Sequence, residues 1–497
     1  MRRHIRHSVA IVAALTTLTG GLLAATGTEA EAATAATGPA ATRYADDFNG
    51  DGYHDLAIGA PNSAVNVKGA DGVTTAVANA GYVTVSYGSK YGAQKTGLKV
   101  ITQNSPGMPG DPKKDQRFGE VLTTGDFNAD GYADLVVGTR DNYDRGTRPG
   151  HVTLIWGSAT GLKDAISLAD PLKRIGFGVV LKAGDFTGDG KTDLLVGYST
   201  TLELFRGPFK ADGSPVSTHR LDLGRQYPVF SPGEAQNRIA VGRINKGAID
   251  DLVVLGERQD LSAPIRGRVL FGGTSGLRLT PVTIRGGSSV AVADFDKDGY
   301  GDIAVGDPEI QIDTIRSAGL VRVSFGSATG VNEARGYQTF TEDTSGIPGG
   351  VGTGDRFGQS LAAADLNLDG YPELIIGATG ERKANCGWDC DVTGGGLYVL
   401  KGTSKGVTGT GATWYAHNAP GLPAPAGTFR IPSLLKATDL NNDKQPELTF
   451  AVAATVPQVW SVGTKDGKIA GTSPTRVVNP PVDSQITTGS EFGALVR

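Results

Sequence analysis

From about residue 44 onward, short apolar runs alternate with glycine-rich and acidic turns at a recurring beat. Runs such as LAIG (from Leu56), LVVG (from Leu135), LLVG (from Leu194), IAVG (from Ile303) and LIIG (from Leu374) are apolar throughout, the pattern of a strand buried on both faces. A second set alternates with period two and is rich in β-branched residues: YVTVS from Tyr82, HVTLIW from His151, LVRVSF from Leu320. Each of these closes on Gly-Ser, a turn signal. A third signature, Phe-Gly followed by a short strand, precedes the acidic turns: RFGEVLTTG from Arg117, GFGVVLKAG from Gly176, RFGQSLAAA from Arg356. One unit therefore reads as a Phe-Gly strand, an acidic loop, an apolar strand, a variable loop, an alternating strand, a Gly-Ser turn and a last strand. That is four antiparallel strands.

Seven acidic segments align in one register, beginning at Asp47, Asp126, Asp185, Arg243, Asp294, Asp365 and Asp439. Their spacings of 79, 59, 58, 51, 71 and 74 residues suit propeller blades rather than a solenoid. A lone four-stranded sheet leaves two faces and two edges bare, and radial stacking covers the faces and shortens the edges. The first acidic loop has no Phe-Gly strand before it, whereas Phe492-Gly493 stands near the other end of the chain. The expected fold is all-β: a single seven-bladed β-propeller over residues 44–497, its first blade closed by the C-terminal strand Ser490–Val496.

The first 32 residues change the picture of where this chain works. Arg2, Arg3 and Arg6 precede an apolar stretch from Val9 to Leu23, and Ala30-Glu31-Ala32 offers small residues for cleavage. This is the pattern of a secretory signal peptide, with residues 33–43 a flexible N-terminal segment. No later stretch has the 18 apolar residues of a span. The mature chain is expected to be secreted, extracellular and monomeric, without a membrane span. In that compartment Cys386 and Cys390 can form a local disulfide. Glycine, at 73 of 497 residues, is about twice its usual share, and the formal charge of −4 argues against a nucleic-acid partner.

The Phe-Gly strand with its Asp-x-Asn-x-Asp-Gly loop resembles the FG-GAP repeat of the integrin α-subunit propeller, found also in secreted bacterial proteins. The similarity covers about residues 44–497. It implies a seven-bladed propeller with Ca²⁺ in the loops joining the first two strands of several blades. No interval is long enough for an inserted adhesion domain, so integrin-style signalling is not implied.

The residues make the same point. Ca²⁺ takes six to eight oxygen ligands, and positions 1, 3, 5 and 9 of each loop carry oxygen side chains while position 7 can offer a carbonyl. These are Asp47, Asn49, Asp51, Tyr53 and Asp55; Asp126, Asn128, Asp130, Tyr132 and Asp134; Asp185, Thr187, Asp189, Lys191 and Asp193. Further along they are Asp294, Asp296, Asp298, Tyr300 and Asp302; Asp365, Asn367, Asp369, Tyr371 and Glu373; Asp439, Asn441, Asp443, Gln445 and Glu447. Position 6 is glycine except at Lys444, which weakens the case for the seventh loop. The fourth has Arg243 and Gly247 in place of carboxylates and is expected to hold no ion. About five to six Ca²⁺ are expected in all. Acidic turns without metal are the plain alternative, since Asp, Asn and Gly favour turns. Six loops with acids at the same offsets favour metal. EF-hands are excluded, because position 12 is apolar (Ile58, Val137, Val196, Val305) and the flanks are strands.

The opposite rim would carry variable loops, near 59–80, 138–150 and 378–396, and the between-blade loops. Tyr143, Arg145 and Trp388 are ligand-binding candidates there, with Arg148, Lys113, Lys114 and Trp414, since an aromatic beside a cation can stack on a sugar or anchor a protein. No G-x-S-x-G, H-E-x-x-H or Walker loop occurs, so no catalytic residue is assigned and an enzyme is not expected. The expected function is a secreted, calcium-binding adhesion or recognition module for extracellular protein or cell-envelope ligands. The alternatives are a lectin-like polysaccharide-binding module and a hydrolase using Asp111, Asp115 or Asp355.

Overall fold

The computed structural model describes residues 45–94, 96–139, 150–168, 170, 174–224, 235–256, 266–380, 394–416, 419–422, 435–452, 458–470, 475–478, 486–487 and 494–495. Seven four-stranded antiparallel sheets form the blades of a β-propeller. Blade 1 holds Leu56–Ala60, Tyr82–Ser86 and Lys99–Ile101; blade 2 runs from Phe118–Gly125 to Lys163–Leu168 and blade 3 from Val180–Gly184 to Ser217–Asp222. Blade 4 runs from Ile239–Gly242 to Arg278–Arg285, and blade 5 from Ser289–Ala293 to Tyr337–Phe340. Blade 6 runs from Phe357–Ala364 to Gly406–Ala416, and blade 7 from Leu435–Thr438 to Thr475–Val478. Among the described residues the one helical element is a 3₁₀ turn, Ala235–Arg238.

The missing strand of blade 1 comes from the far end of the chain. Ala494–Leu495 pairs antiparallel with Leu56–Ala60, with Ile58 opposite Leu495 and Gly59 opposite Ala494. From blade 2 to blade 7 the first strands of successive blades touch one another, which puts them innermost. The second strand of every blade is buried along its whole length, as in Asp134–Thr139 and Asp302–Asp307, which explains the unbroken apolar runs. Outer strands such as Ser217–Asp222 are exposed.

The core is distributed between blades. One apolar cluster fills each junction: Phe48, Val83 and Phe118 between blades 1 and 2, for example, and Leu56, Ile58, Leu440 and Val459 between blades 7 and 1. The repeat signatures are the locks of these junctions. Gly59, next to last in the buried strand of blade 1, faces Gly119 of the next Phe-Gly pair; a Cβ on Gly59 would lie 1.9 Å from the Gly119 carbonyl oxygen. Gly306 meets Gly358 in the same way, at 2.1 Å. The Phe118 N–H donates to the Ala80 carbonyl at 2.9 Å and the Phe357 N–H to the Ala318 carbonyl at 3.0 Å. Phe-Gly thus docks onto the preceding blade through its backbone as well as its ring.

One expected variable loop is partly ordered as sheet. Within 59–80, Ala64–Lys68 and Thr74–Val77 form a hairpin, and Ile486–Thr487 adds a third strand to it. Residues 1–43, with the expected signal peptide and flexible segment, lie outside the described residues. No helix among the described residues is long and apolar enough to cross a membrane.

Candidate metal rim

The acidic loops join the first and second strands of the blades and share one conformation. In the second loop Asp126 accepts the N–H of Asp130 and of Gly131, both at 3.0 Å. Asn128 Oδ1 accepts the Asp130 N–H at 3.0 Å, and Asp130 Oδ1 accepts the Tyr132 N–H at 2.9 Å. The same bonds recur from Asp47, Asp294, Asp365 and Asp439. Each loop turns at position 4 in the left-handed region, where Ala129, Lys297, Leu368 and Asn442 have φ of 60, 59, 62 and 58°. Lys444 occupies the glycine position of the seventh loop with φ 75°, and its N–H still donates to Asp439 at 2.7 Å. The seventh loop therefore keeps the shape despite its lysine.

Position 9 behaves differently. Asp55, Asp134, Asp193 and Asp302 are fully buried, and each carboxylate accepts two backbone N–H groups. Asp55 takes those of Phe48 and Gly88, both at 2.8 Å; Asp302 takes those of Phe295 at 3.1 Å and Gly326 at 2.9 Å. The second donor is in each case the glycine that closes the alternating strand, so two signatures of the repeat are tied by one side chain. The fourth blade, which lacks the other acids, keeps this bond: Asp251 accepts from Ile244 at 2.9 Å and Gly272 at 3.0 Å. In blades 6 and 7 the acid is Glu373 and Glu447, and the longer side chain bonds the N–H of Leu366 and Leu440 and the amides of Asn367 and Asn441. Burial, with nearby loop acids adding to it, pushes the carboxyls of Asp55 and Asp134 up to about 8, those of Asp302, Glu373 and Glu447 to about 7, and that of Asp193 to about 6.

The loops are linked around the rim. The Ala133 N–H donates to the Asp47 carbonyl at 2.9 Å, the Asp250 N–H to Asp185 at 2.9 Å, and the Gly301 N–H to Arg243 at 2.8 Å. Position 4 of one loop also faces position 7 of the next: Lys246 Nζ lies 5.4 Å from the Tyr300 ring centre and Lys297 Nζ 5.4 Å from that of Tyr371. Asn442 reaches across the closing junction to the Gly52 carbonyl at 3.5 Å. The tyrosines singled out as carbonyl donors thus have a packing role that sequence spacing did not reveal.

Asp294, Asp296 and Asp302 bring one carboxylate oxygen each to within 4.8 Å of one another. An all-oxygen, anionic set of this kind suits a hard divalent cation such as Ca²⁺. Two arginines absent from the sequence reading enter these loops: Arg206 pairs with Asp189 at 2.9 Å, and Arg335 pairs with Asp296. Neither is near its partner in sequence, and nothing in the repeat pattern marks them.

On the other candidates, Tyr143, Arg145, Arg148, Cys386, Trp388 and Cys390 lie outside the described residues. Trp414 sits on the fourth strand of blade 6, its ring 6.3 Å from that of Tyr398 beside the core between blades 5 and 6. Asp115, considered above for a hydrolase, accepts a hydrogen bond from Asn79 at 2.7 Å, and Asp355 is buried and also has a partner.

A propeller whose blades interlock through Phe-Gly and carry acidic inter-strand loops defines a class, and sequence comparison agrees. The FG-GAP repeat model matches residues 45–86, 286–309 and 357–400, and the FG-GAP-like repeat model matches 126–196. The chain thus carries FG-GAP repeats on a seven-bladed β-propeller. It is 28% identical to mouse (Mus musculus) integrin alpha-8 over 222 residues, covering 41% of this chain and 20% of the relative. It is 30% identical to human (Homo sapiens) integrin alpha-IIb over 226 residues, 42% and 20% of the two chains. The phosphatidylinositol-glycan-specific phospholipase D of Bos taurus is 28% identical over 166 residues, 33% of this chain and 18% of that one. The matches span about a fifth of the length of these curated relatives.

Proposed function

We propose that this protein is a secreted, calcium-stabilised FG-GAP propeller that recognises an extracellular protein or a cell-envelope component. Residues 1–32 serve as its export signal, and residues 44–497 form the module. Asp, Asn and Glu side chains of the acidic loops hold Ca²⁺, which supplies charge neutralisation and cross-links the turns of one rim. The single observation that carries this reading is the use of the acids as framework. The position-9 carboxylates are buried and bonded to backbone N–H groups, while the loop between the second and third strands of blade 1, which leaves those strands at their other end, builds a hairpin of its own from Ala64–Lys68 and Thr74–Val77. A geometry repeated from blade to blade on one rim, with a separately built loop at the other end of the strands, suits a binding scaffold. The relation to integrin alpha chains supports the same reading.

The test is retention. The purified chain is immobilised in Ca²⁺ or in chelator and exposed to envelope and culture proteins, and in parallel to a glycan array. Protein retained in Ca²⁺ and released by chelator supports the proposal. Retention of glycans alone replaces it with a polysaccharide-binding function, and turnover of a sugar or ester by the chain replaces it with an enzyme.

A further inference from the structure

The fifth loop differs from its neighbours at position 3. That position is Asn in loops 1, 2, 6 and 7 and Thr187 in loop 3; here it is Asp296. In loops 1 and 2 the asparagine amide donates to the position-5 carboxylate, Asn49 to Asp51 and Asn128 to Asp130, each at 2.9 Å. An aspartate has no N–H to give. Loop 5 instead holds four carboxylates, Asp294, Asp296, Asp298 and Asp302, one more than loops 1 and 2.

A cation from elsewhere in the blade answers that extra charge. Arg335, which follows the third strand, reaches back and pairs through Nη1 with Asp296 Oδ2. The Asp296 side chain is 3% exposed and that of Arg335 31%, so the pair sits at the buried edge of the loop with the arginine open to solvent. The guanidinium lies 3.4 Å from the centre of the Phe325 ring, and the Arg335 N–H is fixed to Asn332 Oδ1 at 3.2 Å. The other oxygen, Asp296 Oδ1, accepts the Asp298 N–H at 3.3 Å. Asp296 Oδ1 thus stands where Asn49 and Asn128 Oδ1 stand in loops 1 and 2, accepting the same N–H, and Oδ2 is the added oxygen, which the guanidinium holds. Loop 3 shows a second instance, with Nε and Nη2 of Arg206 on Asp189 Oδ2 at 3.1 and 2.9 Å.

We infer that Arg335 is a tethered cation that competes with the divalent ion for Asp296 and sets the affinity of loop 5. It offsets the fourth carboxylate, while Lys297, the other cation of this loop, turns away to the Asp369 carbonyl and the Tyr371 ring. Metal must share or displace a stacked guanidinium to gain its full ligand set. This rests on the calcium reading of the loops.

Terbium(III) titration of the chelator-stripped full chain tests it, with emission excited through tyrosine. Tyr300 is in loop 5, so the emission lost in Tyr300→Phe identifies that loop's phase. Arg335→Gln should move this phase to about tenfold lower terbium, and adding Asp296→Asn should bring it back towards the original midpoint. Melting of the stripped variants checks folding. If Arg335→Gln does not fold, Arg335→Lys, shorter and without the stacked plane, should move the phase about threefold in the same direction. An unmoved phase, or a move to higher terbium, overturns the role of Arg335 and leaves the metal reading standing. No binding by any of the proteins, in emission or calorimetry, overturns both. Binding by Arg335→Gln where the unaltered chain shows none at loop 5 supports the competition.

Discussion

Lys436 and Asp46, 390 positions apart in sequence, form an ion pair of 2.8 Å at the junction of blades 7 and 1. Both side chains are largely buried, and His54 binds the other carboxylate oxygen. Desolvation alone would raise the Asp46 carboxyl, but Lys436 and the hydrogen bond from His54 outweigh it and hold the group at about 2. Lys436→Met leaves a buried carboxylate short of its main partner. It should cost about 3 kcal/mol in urea unfolding, and a loss below about 0.5 kcal/mol would show that the pair does not fasten the ring. Because the folded value is depressed, this contribution is present above the ordinary value of 3.8 and fades as pH falls towards 2.

Gly59→Ala drives a methyl into the Gly119 carbonyl, 1.9 Å from an ideal Cβ. Two blades must part to admit it, and a loss of about 3 kcal/mol is expected. Gly52→Ala makes the contrast: nothing lies within 4 Å of its Cβ, and only the backbone angle of 87° is unfavourable. It should cost about 1 kcal/mol. Equal losses from the two variants would contradict the interlock.

Asp251 isolates the framework role of position 9, since Arg243 replaces the first acid of its loop. Asp251→Ala strands the N–H groups of Ile244 and Gly272 and should lower stability by about 2 kcal/mol whether or not Ca²⁺ is present. Asp134→Ala should lower stability and also remove one calcium from the stoichiometry measured by calorimetry. A calcium-dependent loss at Asp251 would mean that the fourth loop holds an ion after all.

Without metal, stability should fall as pH rises from about 5 to 8. The carboxyls of Asp55 and Asp134 titrate near 8 in the folded chain, so in this window the folded state holds protons that the unfolded state has released. The contribution of these two groups is fully present below the unfolded value of 3.8 and is lost as pH climbs through the folded one. Ca²⁺ takes the ionised form, so its stabilising effect should grow over the same range. Melting curves at pH 5 and 8, with Ca²⁺ and with chelator, check both signs. A chelator effect absent at pH 8 would remove the metal from the account.

Lys444 holds a backbone angle that glycine occupies in most of the other loops. Lys444→Gly relieves the steric cost of that angle and should stabilise the chain by about 0.5 kcal/mol, after the greater flexibility of unfolded glycine is counted. A destabilised variant would point to a contact of the lysine side chain.

The ring was legible because its signatures repeat seven times, and the closing strand because one Phe-Gly stood out of place. What the signatures do was less so. Spacing offered Asp55 only as an oxygen ligand, since its partner Gly88 is 33 residues away in the turn after another strand. Leu368 and Lys297 gave no hint of left-handed turns, because such side chains avoid them when nothing else decides. Here the fixed hydrogen bonds of the loop and the neighbouring blade decide. Arg335 meets Asp296 only once the blade is built, as two residues 39 apart.

The pairing of Ala494–Leu495 with Leu56–Ala60 also fixes an order of events during synthesis. The receiving strand is made more than 400 residues before its partner, so the nascent chain carries an unpaired edge while the six other blades are synthesised. Such an edge invites pairing with other chains. That edge stays open until the closing strand arrives, so a product that stops short of Ala494 keeps a sticky first blade rather than becoming a shorter working one.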